Sequence, residues 1–108
     1  MTKSIEKIIK NFSHDTKQLL KDNLVSEYLF GSAARNENVQ LSDIDILIIV
    51  KHFDYQLREA LSGLSSDYSL EHDLCISPIV KDQTVWENNK IHQTLFYQEI
   101  QRDGIQLC

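Results

Sequence analysis

Asp43 and Asp45 flank a single isoleucine at the head of the most apolar stretch of the chain, residues 44–50. Side chains of an extended strand alternate between faces, so both carboxylates would share one face. Two carboxylates that close repel, and in a poorly solvated setting one of them would take up a proton. A hard divalent cation removes the conflict, because Mg2+ binds carboxylate oxygens and leaves its other positions to water or phosphate. A plainer reading is also open at this point. Asp43 would then be a solvated residue at the start of a strand, and Asp45 an acceptor for a neighbouring loop.

Gly31 and Ser32 stand twelve residues earlier, where an apolar run turns into a helical one. Backbone N–H groups at a helix start point outward with the positive end of the dipole, which suits an anion. Gly31 would let a phosphate approach the backbone, and Ser32 adds a hydroxyl donor. The alternative is an ordinary strand-to-helix turn with Ser32 as its N-cap. The joint pattern, Gly31-Ser32 followed after ten residues by Asp43-x-Asp45, puts phosphate donors at the end of one strand and metal ligands on the next.

Those residues need a scaffold. Ile5, Ile8, Ile9, Phe12, Thr16, Leu19 and Leu20 recur at helical spacing, predicting a first helix over 3–21 with Thr2 or Ser4 as its cap. Residues 25–30 read as a short strand, 32–35 as one helical turn and 36–42 as a polar loop. Residues 44–50 are β-branched and apolar throughout, hence a central strand covered on both sides. A short helix is expected over 56–64, and a further strand within 69–80, closed by Pro78. Helical segments over 82–88 and 94–103, capped by Thr94 and ended by Gly104, lead to a short edge strand at 105–107. This order predicts an α/β (α+β) fold, a small mixed sheet of three to four strands flanked by helices.

The 108 residues suit one domain, with no linker, repeat or low-complexity segment. Eleven basic against sixteen acidic residues give a formal charge of −5, and no basic cluster suited to a phosphate backbone is present. Bulk nucleic acid is therefore an unsuitable partner. The longest apolar run, five residues, is far short of a membrane span, and residues 3–7 are too polar for a signal core. Cys75 and Cys108 are expected as reduced thiols, and the chain as cytoplasmic. His14, His72, His92 and Cys75 lack zinc-site spacing. Trp86, Phe96 and Tyr97 read as core or interface anchors more readily than as a base-stacking platform.

The stretch Gly31-Ser32-Ala33-Ala34-Arg35-Asn36-Glu37, continuing to Ser42-Asp43-Ile44-Asp45-Ile46-Leu47-Ile48, closely resembles the signature of the DNA polymerase β-like nucleotidyltransferase superfamily. Its length brings it nearest to the minimal nucleotidyltransferase (MNT) group. The resemblance implies the polymerase β-like nucleotidyltransferase fold and a two-metal transfer of a nucleoside monophosphate from a triphosphate to a hydroxyl, with pyrophosphate leaving. Carried over by position, Asp43 and Asp45 would hold two Mg2+ ions, with Mn2+ an alternative, and Gly31 and Ser32 would hold the triphosphate of ATP.

Arg35, at the end of the same turn, is a candidate phosphate contact; its other reading is a surface arginine paired with Glu37 or another acid. The superfamily commonly adds a third carboxylate on a later strand. Asp73 is the candidate, with Glu71 the fallback, unless a half-solvated edge strand explains Glu71, His72 and Asp73 together. The resemblance also implies a partner: a separately encoded helical HEPN toxin, a tyrosine of which receives AMP. Three other outcomes stay open: a silent antitoxin that only binds its partner, a small-molecule acceptor, and a homo-oligomer. One residue departs from the pattern: Asn36 stands where glycine is frequent, and asparagine tolerates the left-handed backbone such a turn needs.

Overall fold

The computed structural model describes residues 3–35 and 43–108, with Asp43 given by its backbone alone. Helix α1 (Lys3–Leu20) turns Ile9, Phe12, Ser13, Thr16 and Leu20 inward and its lysines outward. A 3-10 turn, Lys21–Asn23, leads into β1 (Leu24–Phe30), followed by the single helical turn α2 (Gly31–Ala34). Then come β2 (Asp43–Val50), α3 (Tyr55–His72), β3 (Cys75–Asp82), α4 (Gln83–Ile91), α5 (Leu95–Asp103) and β4 (Ile105–Gln106). The strands form one mixed sheet in the order β3-β2-β1-β4. β1 runs antiparallel to both β2 and β4, and β2 runs parallel to β3.

The apolar run read as a central strand is β2, and its two faces belong to two cores. Ile44, Ile46, Ile48 and Val50 pack with Ile9 and Phe12 of α1 and with Leu61 and Tyr68 of α3. Leu47 and Ile49 point the other way, onto Phe30, Trp86 and Ile100. Each of these buried side chains is worth roughly 1.5–3 kcal/mol, so β2 is the strand least able to move. Trp86 meets Phe96 edge-on at 5.9 Å and Tyr97 at 5.4 Å, and Phe96 meets Phe30 at 5.3 Å. The three C-terminal aromatics are therefore core anchors that fasten α4 and α5 to the end of β1.

The far end of the β1–β2 pair is tied down by polar groups. Asn23 exchanges two side-chain hydrogen bonds of 2.9 Å with the backbone of His52, and its carbonyl accepts from the Lys51 N–H. A register shift between Leu24 and Ser26 absorbs one extra residue of β1. Helices α3, α4 and α5 each start on a side-chain cap: Asp54 accepts from the Leu57 N–H, Asp82 from Val85 and Thr94 from Tyr97.

The second half of the chain corrects two expectations. Helix α3 does not stop at residue 64 but continues to His72, and the strand expected within 69–80 begins only at Cys75. In the serine-rich stretch the Ser65 hydroxyl donates to the Leu61 carbonyl and that of Ser69 to Ser65, each one turn back, so these hydroxyls are satisfied within the helix. Leu61, Ser65 and Tyr68 also keep a single buried face. Nor does Pro78 close β3, which runs on to Asp82. β3 is an edge strand, where every second peptide faces away from the sheet and a missing N–H costs nothing. The expected loop over 36–42, with Asn36 and Glu37, and the expected cap at Thr2 lie outside the described residues.

Candidate active site

β1 delivers the chain to Phe30, which takes the extended cap position of α2, and Gly31 follows at φ +74°. That backbone region is open to glycine and strained for other residues. Gly31 is also buried, and a methyl group built on it would overlap the Asp45 carboxylate. Both properties of glycine are thus used at one position. The left-handed backbone turns strand into helix, and the absent side chain lets the carboxylate lie against the turn.

The rest of α2 is anchored from behind. Ala33 is buried in the α1/α3 core, and the Arg35 N–H donates to the Gly31 carbonyl at 3.1 Å, closing the turn. Ser32 is half-buried and Arg35 exposed. Because Phe30 holds the cap position, Ser32 lies inside the turn and is not its N-cap. The leading N–H groups of such a turn have no partner within it.

Asp45 is half-buried on the α4/α5 face of the sheet, since its neighbours Ile44 and Ile46 face α1 and α3. Across the sheet it stands between Phe30 of β1 and Ser77 of β3. Asp43 lies two residues earlier on the same strand, and its register partner is Cys75. The structure therefore brings the Gly31-Ser32 turn into contact with the Asp43-x-Asp45 strand, at one end of the sheet. Asp45 supplies only oxygen donors, and the absent side chain of Gly31 lets that carboxylate lie directly against the start of α2, whose leading N–H groups have no partner within the turn. Oxygen ligands beside N–H donors fit a divalent cation shared with a triphosphate.

Asp73 and Glu71 sit elsewhere than the sequence places them. Neither is on a strand: Glu71 belongs to the last turn of α3, its Oε2 4.0 Å from His72 Nε2. Asp73 is the C-cap of α3, exposed and left-handed at φ 52°, with its N–H donating to the Ser69 carbonyl. Aspartate is among the few non-glycine residues that accept this conformation. The polar run 71–73 is thus a helix end, neither a half-solvated strand nor its interior. Asp73 still precedes Cys75 by two residues, at the end of the sheet that carries Asp43. Sequence reasoning missed Cys75 and Ser77 as the residues beside the two aspartates. Placing the start of β3 six residues later, after the helix-ending signal at Asp73, would have found them. Both cysteines are free thiols, and among the described residues no three His, Cys, Asp or Glu side chains converge on a metal-sized site.

The profile of the nucleotidyltransferase domain family matches residues 6–106. The chain belongs to that family. This nucleotidyltransferase is 36% identical over 104 residues to a protein of Methanocaldococcus jannaschii assigned as a protein adenylyltransferase, a match covering 95% of this chain and 98% of the relative. Among solved structures, it is similar to a toxin–antitoxin complex crystallised with AMP-PNP, at a TM-score of 0.62 and 20% identity. That match covers 92% of this chain and 72% of the other. A second likeness is to a Shewanella oneidensis complex of a tri-AMPylated HEPN toxin with an MNT antitoxin, at a TM-score of 0.50 and 21% identity. It covers 92% of this chain and 71% of that one, and at such identity both likenesses show the fold alone. No helix among the described residues is long and apolar enough to cross a membrane.

Proposed function

We propose that this nucleotidyltransferase moves AMP from ATP onto a tyrosine hydroxyl of a helical HEPN-type partner protein. The observation that carries the reading is the contact between the Gly31 turn and the Asp45 carboxylate, which unites an anion-binding turn with an acidic strand. Support for adenylyl transfer to protein comes from the relative assigned as a protein adenylyltransferase, which matches nearly end to end. Support for the partner comes from the AMPylated HEPN toxin held by a protein of the same fold.

In this reading Asp43 and Asp45 hold two Mg2+ ions, with Asp73 as a third carboxylate reaching in from the end of α3. When bound, the ions supply positive charge to the triphosphate and lower the pKa of the attacking hydroxyl. Ser32 and the leading N–H groups of α2 bind phosphate oxygens, and Arg35 adds a charge-assisted contact at the rim. The hydroxyl oxygen forms a bond to the α-phosphorus, the bond to pyrophosphate breaks, and the hydroxyl proton passes to solvent. The chain's own task is placement and electrostatics, which is most of what phosphoryl-type transfer asks of a protein.

The test is to incubate the protein with Mg2+ and ATP, with and without the neighbouring gene product, and to weigh that product. A mass increase of AMP on a tyrosine is expected, and none when that tyrosine is phenylalanine. A partner that is bound and neutralised yet unmodified would replace this reading with that of a silent binding module.

A further inference from the structure

Glu27 sits in the middle of β1, fully buried, with its side chain under α1. Its Oε2 lies 2.6 Å from the Thr16 hydroxyl, and that same hydroxyl lies 2.8 Å from the Ser13 carbonyl. A hydroxyl has one proton to give. The Ser13 carbonyl can only accept, so an ionised Glu27 would leave two acceptors competing for one proton, with one close oxygen pair unbridged and repulsive. With a proton on Glu27 both contacts are satisfied: the carboxyl donates to Thr16 Oγ1, and Thr16 donates to the Ser13 carbonyl. We infer that Glu27 is held as the neutral carboxylic acid in the folded protein, so that one bound proton is part of the fold and its loss as pH rises loosens α1 from the sheet.

The surroundings agree. Glu27 faces Ser13, Thr16 and Lys17 of α1, and its register partner on β2 is the apolar Ile48. Its main chain hydrogen-bonds to the backbone of Leu107 and Cys108. Asp15 of α1 is engaged by the Tyr68 hydroxyl of α3 instead. Among the described residues no cation lies within salt-bridge distance of Glu27, and its second oxygen, Oε1, has no hydrogen-bond partner. Ser13 Oγ, one helical turn before Thr16, is likewise buried without a hydrogen-bond partner among the described residues. Burial pushes the Glu27 carboxyl above its ordinary value of 4.5, against weaker opposing pulls from Thr16, Ser13 and Lys17.

The linkage has a definite sign. The folded state keeps the proton in the range where the unfolded chain has released it. The contribution is therefore complete below 4.5 and is lost as pH rises through the folded-state value. Within that window the folding equilibrium constant falls about tenfold per pH unit on account of this one group. Glu27 is a point of attachment twice over, through its side chain to α1 and through its main chain to the C-terminal segment beside β4.

The test compares urea unfolding of the wild-type protein and Glu27→Gln across a pH series, with the carboxyl carbon of Glu27 followed by NMR in the wild type. A glutamine amide donates to Thr16 as the neutral acid does and cannot ionise. The expected result is that the wild type loses stability with rising pH relative to Glu27→Gln, and that the Glu27 carbon stays in its protonated range while exposed glutamates titrate. Parallel pH profiles for the two proteins, or a Glu27 carbon that titrates with the exposed glutamates, overturn the inference. Should Glu27→Gln not fold, the carbon titration alone decides.

Discussion

Gly31 and Asp45 define the site because each limits the other. The positive φ of Gly31 and the carboxylate packed where its side chain would be are independent obstacles to any substitution. Gly31→Ala is expected to cost about 1–3 kcal/mol from the backbone alone, with displacement of Asp45 added. Its activity should fall further than the stability loss explains, as measured by urea unfolding alongside AMP transfer. Asp73 calls for a different kind of substitution, because its left-handed backbone and its proposed ligand role can be separated. Asp73→Asn keeps a residue tolerant of φ > 0 and removes the charge. Unfolding should be unchanged within about 0.5 kcal/mol, while transfer slows if the carboxylate serves the site. Full activity in Asp73→Asn would remove it from the ligand set.

Among the elements, β2 and its preceding turn were the most readable from sequence and the stretch after α3 the least. The reason lies in which signals are local. Ile44 to Val50 carry their own burial pattern, and Gly31-Ser32 followed by Asp43-x-Asp45 is a spacing that needs only two adjacent strands. Residues 65–73 announce a loop by composition, yet their hydroxyls bond one turn back and Tyr68 reaches across to α1, a contact that spacing along one helix cannot show. Buried Glu27 was missed for the same reason, since its partners lie on another element. Tyr68 now serves as a probe of that α1–α3 contact. Its hydroxyl donates to Asp15 at 2.5 Å, and its ring meets Phe12 edge-on at 5.3 Å. Tyr68→Phe keeps the ring and should lower stability by about 1 kcal/mol in thermal or urea unfolding. No change would mean that the hydrogen bond adds nothing to the packing.

At the scale of the molecule, a formal charge of −5 sits on a chain whose proposed cofactors are cationic. Two Mg2+ ions alone would bring it to −1, and metal with its nucleotide, binding the folded state only, should stabilise that state by mass action. A ligand at a hundred times its dissociation constant adds about 2.7 kcal/mol, and that gain should vanish in Asp45→Asn while the unliganded variant stays folded. The most direct measurement is single-turnover transfer from ATP labelled on its α-phosphate to the partner protein, comparing wild type with Asp43→Asn and Asp45→Asn. The account predicts label on the partner with the wild type, and a loss of at least about a hundredfold with either variant at undiminished complex formation. Transfer that proceeds at the wild-type rate in both variants would contradict it.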